Sequence, residues 1–105
     1  MIKPKRQVAY VEEIDRKGSR VLQLDGLEIA LFRLSGGEVL AVENKCPHKG
    51  GALSEGMVCG DKVHCPLHDW RISLHTGQVQ EPDHGCVPTY EVEVDPVSGA
   101  VYLMI

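Results

Sequence analysis

The sequence lacks several features, and each absence excludes a class of protein. No segment approaches the roughly 20 apolar residues that a membrane-spanning helix requires. The net charge of −4 leaves no basic face of the kind that binds nucleic acid. Residues 1–7 contain no apolar core of the kind that marks a secretory signal. We therefore expect a cytoplasmic protein that binds neither nucleic acid nor membrane.

Length and cysteine content narrow the possibilities further. The 105 residues fit one compact domain, 1–105, with no room for a separate catalytic domain beside it. A cytoplasmic protein keeps its thiols reduced, so its cysteines are more often metal ligands than disulfide partners. The four cysteines are therefore candidate ligands first.

Strand-like segments dominate the two ends of the chain. Gly, Pro and Asp recur every 8 to 12 residues or so, and no stretch keeps a long helical period. The Asp25-Gly26 pair predicts a tight hairpin turn between two apolar segments. The predicted strands are 7–11, 20–24, 27–34, 38–43, 89–94 and 100–104, with shorter ones near 58–59, 62–64 and 71–74. This pattern predicts an all-β fold.

The middle of the chain has a different texture. From Asn44 to about Pro88 apolar residues become sparse, while Gly, Pro, Cys and His concentrate. All four cysteines and all five histidines lie between Cys46 and Cys86. We expect a loop-rich insert, with a binding subdomain at about 44–81, that carries the chemistry of the protein.

Two short motifs in this insert supply metal ligands. Residues 46–51 read Cys-Pro-His-Lys-Gly-Gly, and residues 65–70 read Cys-Pro-Leu-His-Asp-Trp. Each motif brings one soft thiolate and one imidazole, from Cys46 and His48 in the first and from Cys65 and His68 in the second. Both donor types suit iron or zinc. We predict a metal site formed by these four residues.

The order of the ligands bears on which metal they hold. Zinc accepts two Cys and two His, but zinc fingers usually place both cysteines before both histidines. Here each motif contributes a mixed pair. A binuclear iron cluster explains this arrangement, with two thiolates on one iron and two imidazoles on the other. A zinc-stabilised interaction module remains the alternative.

The C-x-H…C-x-x-H pattern resembles that of the Rieske family. The resemblance implies a [2Fe–2S] cluster held by Cys46, His48, Cys65 and His68, on an antiparallel β-sandwich base with a loop-rich cluster-binding subdomain. A cluster with two thiolates and two neutral imidazoles is less negative than one with four thiolates, so it is easier to reduce. No coordination position is left open for a substrate. The resemblance therefore implies one-electron transfer with no catalytic residue in this chain.

The resemblance also indicates a branch of the family. Respiratory members carry an extra cysteine in each ligand loop and bridge the loops by a disulfide, whereas the matching positions here are Gly51 and Leu67. Those members place a hydroxyl at the position of Trp70. Fewer hydrogen bonds to the cluster sulfurs lower the reduction potential. We expect a low-potential carrier.

Two low-potential carriers are compatible with the sequence. Residues 46–56, 65–70 and 82–90 resemble the small subunit of the assimilatory NAD(P)H-dependent nitrite reductase, which takes part in the conversion of nitrite to ammonium. This resemblance implies a large partner subunit that carries FAD and sirohaem. The alternative is a free Rieske ferredoxin that delivers electrons to an aromatic-ring dioxygenase.

Other cysteines and histidines have simpler expected roles. Cys59 and Cys86 lie outside both motifs, and we expect buried thiols because cysteine is often fully buried. Strand alternation turns His64 away from Cys65, which predicts a position at the surface or beside the site. His75 is expected in a solvated loop.

Overall fold

The regular secondary structure of the described residues is almost entirely antiparallel strand. The computed structural model describes residues 5–24, 26–45, 52–65, 71–80 and 85–104. Within these ranges the helical elements are two short 3-10 turns, Val11–Glu13 and Leu53–Glu55. The strands are β1 (Lys5–Tyr10), β2 (Ser19–Leu24), β3 (Leu27–Arg33), β4 (Val39–Glu43), β5 (Met57–Cys59), β6 (Lys62–His64), β7 (Arg71–Ser73), β8 (Thr89–Val94) and β9 (Ala100–Met104). The predicted all-β class is confirmed.

The larger sheet is the base of the molecule. Its six strands follow the order β1-β9-β8-β4-β3-β2, and every pairing is antiparallel. Leu24 pairs with Leu27, so β2 and β3 are joined by the predicted two-residue turn. Gly26 adopts a φ of 82° there, a conformation that glycine reaches without a steric penalty. Strands β2, β3 and β4 form an antiparallel meander.

Strand β3 explains how the base carries two apolar cores. Ile29 and Leu31 pack into one core with residues of β9, whereas Ala30 and Phe32 pack into the other. A strand buried on both faces needs a continuous apolar run, and residues 29–32 provide one. The second core is shared with the middle of the chain, so the insert packs on one face of the base at β3.

The smaller sheet has three strands in the order β5-β6-β7. Val58, Val63 and Ile72 pair in one row across it, and all three side chains are buried in the core shared with β3. Met57 belongs to the adjacent row and is 70% exposed. Because alternate residues of a strand face opposite ways, one face of this sheet packs on the base and the other meets solvent.

The described part of the chain contains no helix with the length and apolar character that a membrane crossing requires.

Candidate metal centre

The structure describes one of the four predicted ligands. Cys65 follows β6 directly, is 2% exposed and belongs to the apolar core shared with Phe32. Cys46, His48 and His68 lie outside the described residues. Within the ranges that the structure describes, no three side chains of His, Cys, Asp or Glu are grouped for metal binding. Apart from Cys65, the described residues around the predicted site are those that flank the two motifs.

The residues on either side of the first motif are joined by one side chain. Asn44 follows β4, and its Oδ1 accepts a hydrogen bond of 2.7 Å from the backbone N–H of Ser54. Leu53, beside Ser54, is fully buried. The chain therefore leaves the base at Lys45, and by Ser54 it is bonded back to its starting point.

The residues on either side of the second motif are the ends of a strand pair. His64 in β6 pairs with Arg71 in β7, so residues 65–70 connect two neighbouring antiparallel strands. The next pair, Val63 with Ile72, is fully buried. This packed row holds the position from which Cys65 leaves the sheet.

The flanks of the two motifs meet at Gly56. This residue lies three positions after the 3-10 turn begins, and its neighbour Met57 pairs with His64. A Cβ atom added at Gly56 would overlap the carbonyl oxygen of His64 and lie 3.0 Å from Val63 Cγ2. The chain leaving the first motif thus passes directly against the residue that precedes Cys65. The fold therefore brings the described flanks of the two motifs together at one end of the small sheet.

A third segment reaches the same end. The backbone N–H of Gln80 donates to the carbonyl of Arg71 at 2.7 Å. The N–H of Val79 donates to the carbonyl of Gly85 at 3.0 Å, across residues 81–84, which lie outside the described residues. Val79 and Val87 are buried in the core that contains Cys65. The expected subdomain boundary near residue 81 omits Val87, which belongs to this core.

The donor set fits the cofactor that the motifs imply. Cys65 is buried at the end of a sheet where the described flanks of both motifs converge. Thiolate and imidazole donors in equal number satisfy two irons with different ligand pairs. The half-exposed carboxylate of Asp61 in this region is paired with its neighbour: Lys62 Nζ lies 3.2 Å from Asp61 Oδ1, and this hydrogen bond lowers the pKa of the carboxyl group.

The remaining cysteines differ from expectation. Cys59 and Cys86 are both exposed, so the prediction of buried thiols is wrong. Cys59 follows the buried Val58, and strand alternation therefore turns it to the solvent face of the small sheet. Cys86 precedes the buried Val87 in the same way. The average tendency of cysteine to be buried is weaker than its place in the local pattern.

The two described histidines outside the motifs follow expectation, whereas His84 lies outside the described residues. His64 is partly buried in β6, on the face opposite Val63. His75 is exposed, and its Nε2 lies 3.6 Å from Glu38 Oε1.

Sequence reasoning missed Asn44. It is buried at 7% exposure, and no motif marks it. The only local signal is its position, directly after a strand and two residues before Cys46.

Comparison with known proteins relates this geometry to a family. A family model described as the Rieske [2Fe–2S] domain matches residues 5–91. The ferredoxin component of a naphthalene 1,2-dioxygenase/salicylate 5-hydroxylase system from a Ralstonia species is 33% identical over 75 residues, covering 70% of this chain and 71% of that protein. Other relatives are much longer: this chain spans 12% of the oxygenase component of a Mycobacterium tuberculosis 3-ketosteroid-9-alpha-monooxygenase, at 48% identity over 46 residues.

Solved structures match along nearly the whole chain. A protein assigned as the small subunit of an NADH-dependent nitrite reductase from Mycobacterium tuberculosis superposes with a TM-score of 0.87 and 27% identity, covering 98% of this chain and 96% of that one. The ferredoxin of carbazole 1,9a-dioxygenase from Nocardioides aromaticivorans gives a TM-score of 0.82 and 25% identity, covering 94% and 95%. With its all-β fold, its paired Cys and His motifs and the match over residues 5–91, the chain belongs to the family of Rieske [2Fe–2S] domains, and its cofactor is the [2Fe–2S] cluster of that family.

Proposed function

We propose that this Rieske domain is the electron-transfer small subunit of an NAD(P)H-dependent nitrite reductase, with its cluster held by Cys46, His48, Cys65 and His68. The observation that carries the proposal is the superposition on the assigned nitrite reductase small subunit, which extends over 98% of this chain at a TM-score of 0.87.

The proposed ligands divide the work between the two motifs. When bound, the cluster accepts and releases one electron. Cys46 and Cys65 supply two negative thiolates, and His48 and His68 supply neutral imidazoles. The buried position of Cys65 keeps water from its sulfur, and the packed row of Val63 and Ile72 fixes the backbone beside it. In this proposal the four ligands hold and tune a redox centre, and none of them acts on a substrate.

The proposed partner is a large subunit with FAD and sirohaem, where nitrite is reduced to ammonium in nitrate assimilation. That conversion needs several electrons, so a one-electron carrier serves it as a relay. The proposed location is the cytoplasm, where reduced thiols remain available as ligands. We further propose that residues 1–105 act as one domain, in which about 44–81 bind the cluster.

A free ferredoxin is the second candidate. It is favoured by the 33% identity with the dioxygenase ferredoxin component from Ralstonia, which this chain covers to 71% of its length. In that case the acceptor is the oxygenase component of an aromatic-ring dioxygenase. Both candidates use the same cluster and differ only in the protein that receives the electron.

Two measurements test the proposal in sequence. Iron and acid-labile sulfide analysis, with EPR of the dithionite-reduced protein, distinguishes a [2Fe–2S] protein from a zinc-stabilised interaction module. A zinc-only protein without a paramagnetic signal contradicts the proposal. Affinity purification of the tagged chain from its native cells should then recover a large sirohaem protein whose NAD(P)H-dependent nitrite reduction requires this chain. The Cys65→Ser variant is the matched control.

The competing outcome is equally specific. If no sirohaem protein is recovered, and the reduced chain instead supports turnover of an aromatic-ring oxygenase, the nitrite reductase assignment is wrong. The ferredoxin function then replaces it.

A further inference from the structure

We propose that Asn44 is a positioning residue for the cluster, because its side chain fixes the two ends of the segment that carries Cys46 and His48. This inference rests on the proposed ligand assignment. It adds a residue that no motif identifies and that does not bind the metal itself.

Both polar atoms of the Asn44 side-chain amide are hydrogen-bonded. Its Oδ1 accepts from the backbone N–H of Ser54 at 2.7 Å, and its Nδ2 donates to Glu28 Oε2 at 2.7 Å. Its own backbone N–H donates to the carbonyl of Glu28 at 2.9 Å. Asn44 is the one polar residue that is buried among the described residues, at 7% exposure. A buried amide that is hydrogen-bonded at both its oxygen and its nitrogen is held in one orientation.

A second bond anchors the same flank to the base. Ser19 Oγ, on β2, donates to the carbonyl of Ser54 at 2.8 Å. Both backbone polar groups of Ser54 are therefore bonded to side chains, one following β4 and one on β2. The adjacent Leu53 is fully buried in the core that contains Cys65. The flank of the first motif is thus tied to the same packed core as the start of the second.

These contacts constrain the ligands through geometry. The segment 45–53, which carries Cys46 and His48, is bounded by Asn44 and Ser54, and the bond between these two residues holds its ends together. Loss of the Asn44 side chain leaves the Ser54 N–H without its acceptor and frees the ends of this segment. The segment then samples more conformations, and fewer of them place Cys46 and His48 for binding. Groups that orient metal ligands are commonly worth roughly 10-fold or more in metal retention.

Three variants of the full-length, cluster-loaded protein test this role. Asn44→Ala removes both side-chain bonds. Asn44→Asp keeps an acceptor for Ser54 but places a second carboxylate against Glu28. Adding Glu28→Gln to Asn44→Asp supplies an amide donor to the introduced carboxylate, which restores the bond with its polarity reversed. Glu28→Gln alone is the control, because its amide oxygen still accepts from Asn44 Nδ2.

The readouts separate positioning from simple stability. They are the rate of cluster loss to a chelator under argon, the EPR g-values of the reduced protein, its reduction potential and, independently, its thermal unfolding. We expect Asn44→Ala and Asn44→Asp to lose the cluster roughly 10-fold faster, with shifted g-values or potential. The Asn44→Asp/Glu28→Gln pair should return to within about threefold of the unmodified protein.

Each other result counts against the inference. It is overturned if Asn44→Ala only lowers the unfolding temperature while cluster loss, g-values and potential stay unchanged. It is also overturned if Glu28→Gln fails to rescue Asn44→Asp. Should Asn44→Ala not fold, this double variant, in which the acid and the amide exchange places, decides the matter. An unmodified protein without iron and sulfide overturns the proposed function as well. A loaded protein with unaltered variants overturns this inference alone.

Discussion

Gly56 is the point at which a single added methyl group should disturb both halves of the cluster site. Its backbone, with φ −79° and ψ 170°, suits any residue, so alanine meets no conformational strain there. The added Cβ would overlap the carbonyl oxygen of His64 and lie 3.0 Å from Val63 Cγ2 and 3.1 Å from the carbonyl oxygen of Leu53. Gly56→Ala therefore tests close approach alone.

The expected cost follows from this geometry. Forcing atoms into a packed site typically destabilises a protein by about 2 kcal/mol. Replacing glycine by alanine recovers about 0.4–1 kcal/mol through the lower entropy of the unfolded chain. The net loss is about 1–2 kcal/mol, which lowers the unfolding temperature of a domain of this size by about 10 °C. The displaced residue is His64, so cluster loading should fall as well.

Gly36→Ala is the matched control. Gly36 is exposed in the turn before β4, and a Cβ there meets nothing within 4 Å. The assay is thermal unfolding of the cluster-loaded proteins, followed by circular dichroism and by bleaching of the visible absorption, with iron per chain measured for each variant. The reasoning is refuted if Gly56→Ala unfolds within about 2 °C of Gly36→Ala and carries the same iron.

Three further predictions concern the ligands and the base. Cys65→Ser should abolish the visible absorption and the EPR signal, whereas the exposed Cys59→Ser should leave both intact; a loaded Cys65→Ser protein would remove Cys65 from the ligand set. His48→Cys or His68→Cys, where a cluster still assembles, should lower the reduction potential by on the order of 100 mV because a thiolate adds negative charge; an unchanged potential would contradict this. Burial raises the pKa of Tyr90 above its ordinary value of 10.0, so the tyrosine ionises at lower pH in the unfolded chain than in the folded one. The protonated Tyr90 therefore contributes to stability below about pH 10, and this contribution is lost as the pH rises through the folded-state pKa. The unfolding temperature of the unmodified protein should therefore fall relative to that of Tyr90→Phe only above about pH 10, and a constant difference up to pH 11 would refute it.

Local patterns in the sequence predicted most of the strands. Alternation of apolar and polar residues located β8 at Thr89–Val94 with no error in its bounds, and the run at residues 27–34 located β3 within one residue. Strand periodicity depends on neighbouring residues alone, so it can be read without the fold. The expectation for Cys59 was wrong because it rested on the general preference of cysteine for burial. Strand alternation with the adjacent buried Val58 places Cys59 on the opposite, exposed face.

The sequence by itself determined the family and the cofactor. The paired Cys and His motifs at 46–51 and 65–70 predict the donor set, because residue type and spacing can be identified without knowledge of the fold. Those motifs do not reveal what holds them. Asn44 and Ser54 are 10 positions apart, and Asn44 and Glu28 are 16 apart. These bonds form only because β3 pairs with β4 and the 3-10 turn Leu53–Glu55 packs against β2 and β3.

Only the tertiary structure decided how the flanks of the two motifs meet. Gly56 passes against His64, and Gln80 bonds to Arg71, because the small sheet folds back onto the core beneath β3. Such contacts arise from packing between segments distant in the chain, and no periodicity encodes them. The sequence therefore specifies which atoms can hold the cluster, and the fold specifies where the chain presents them.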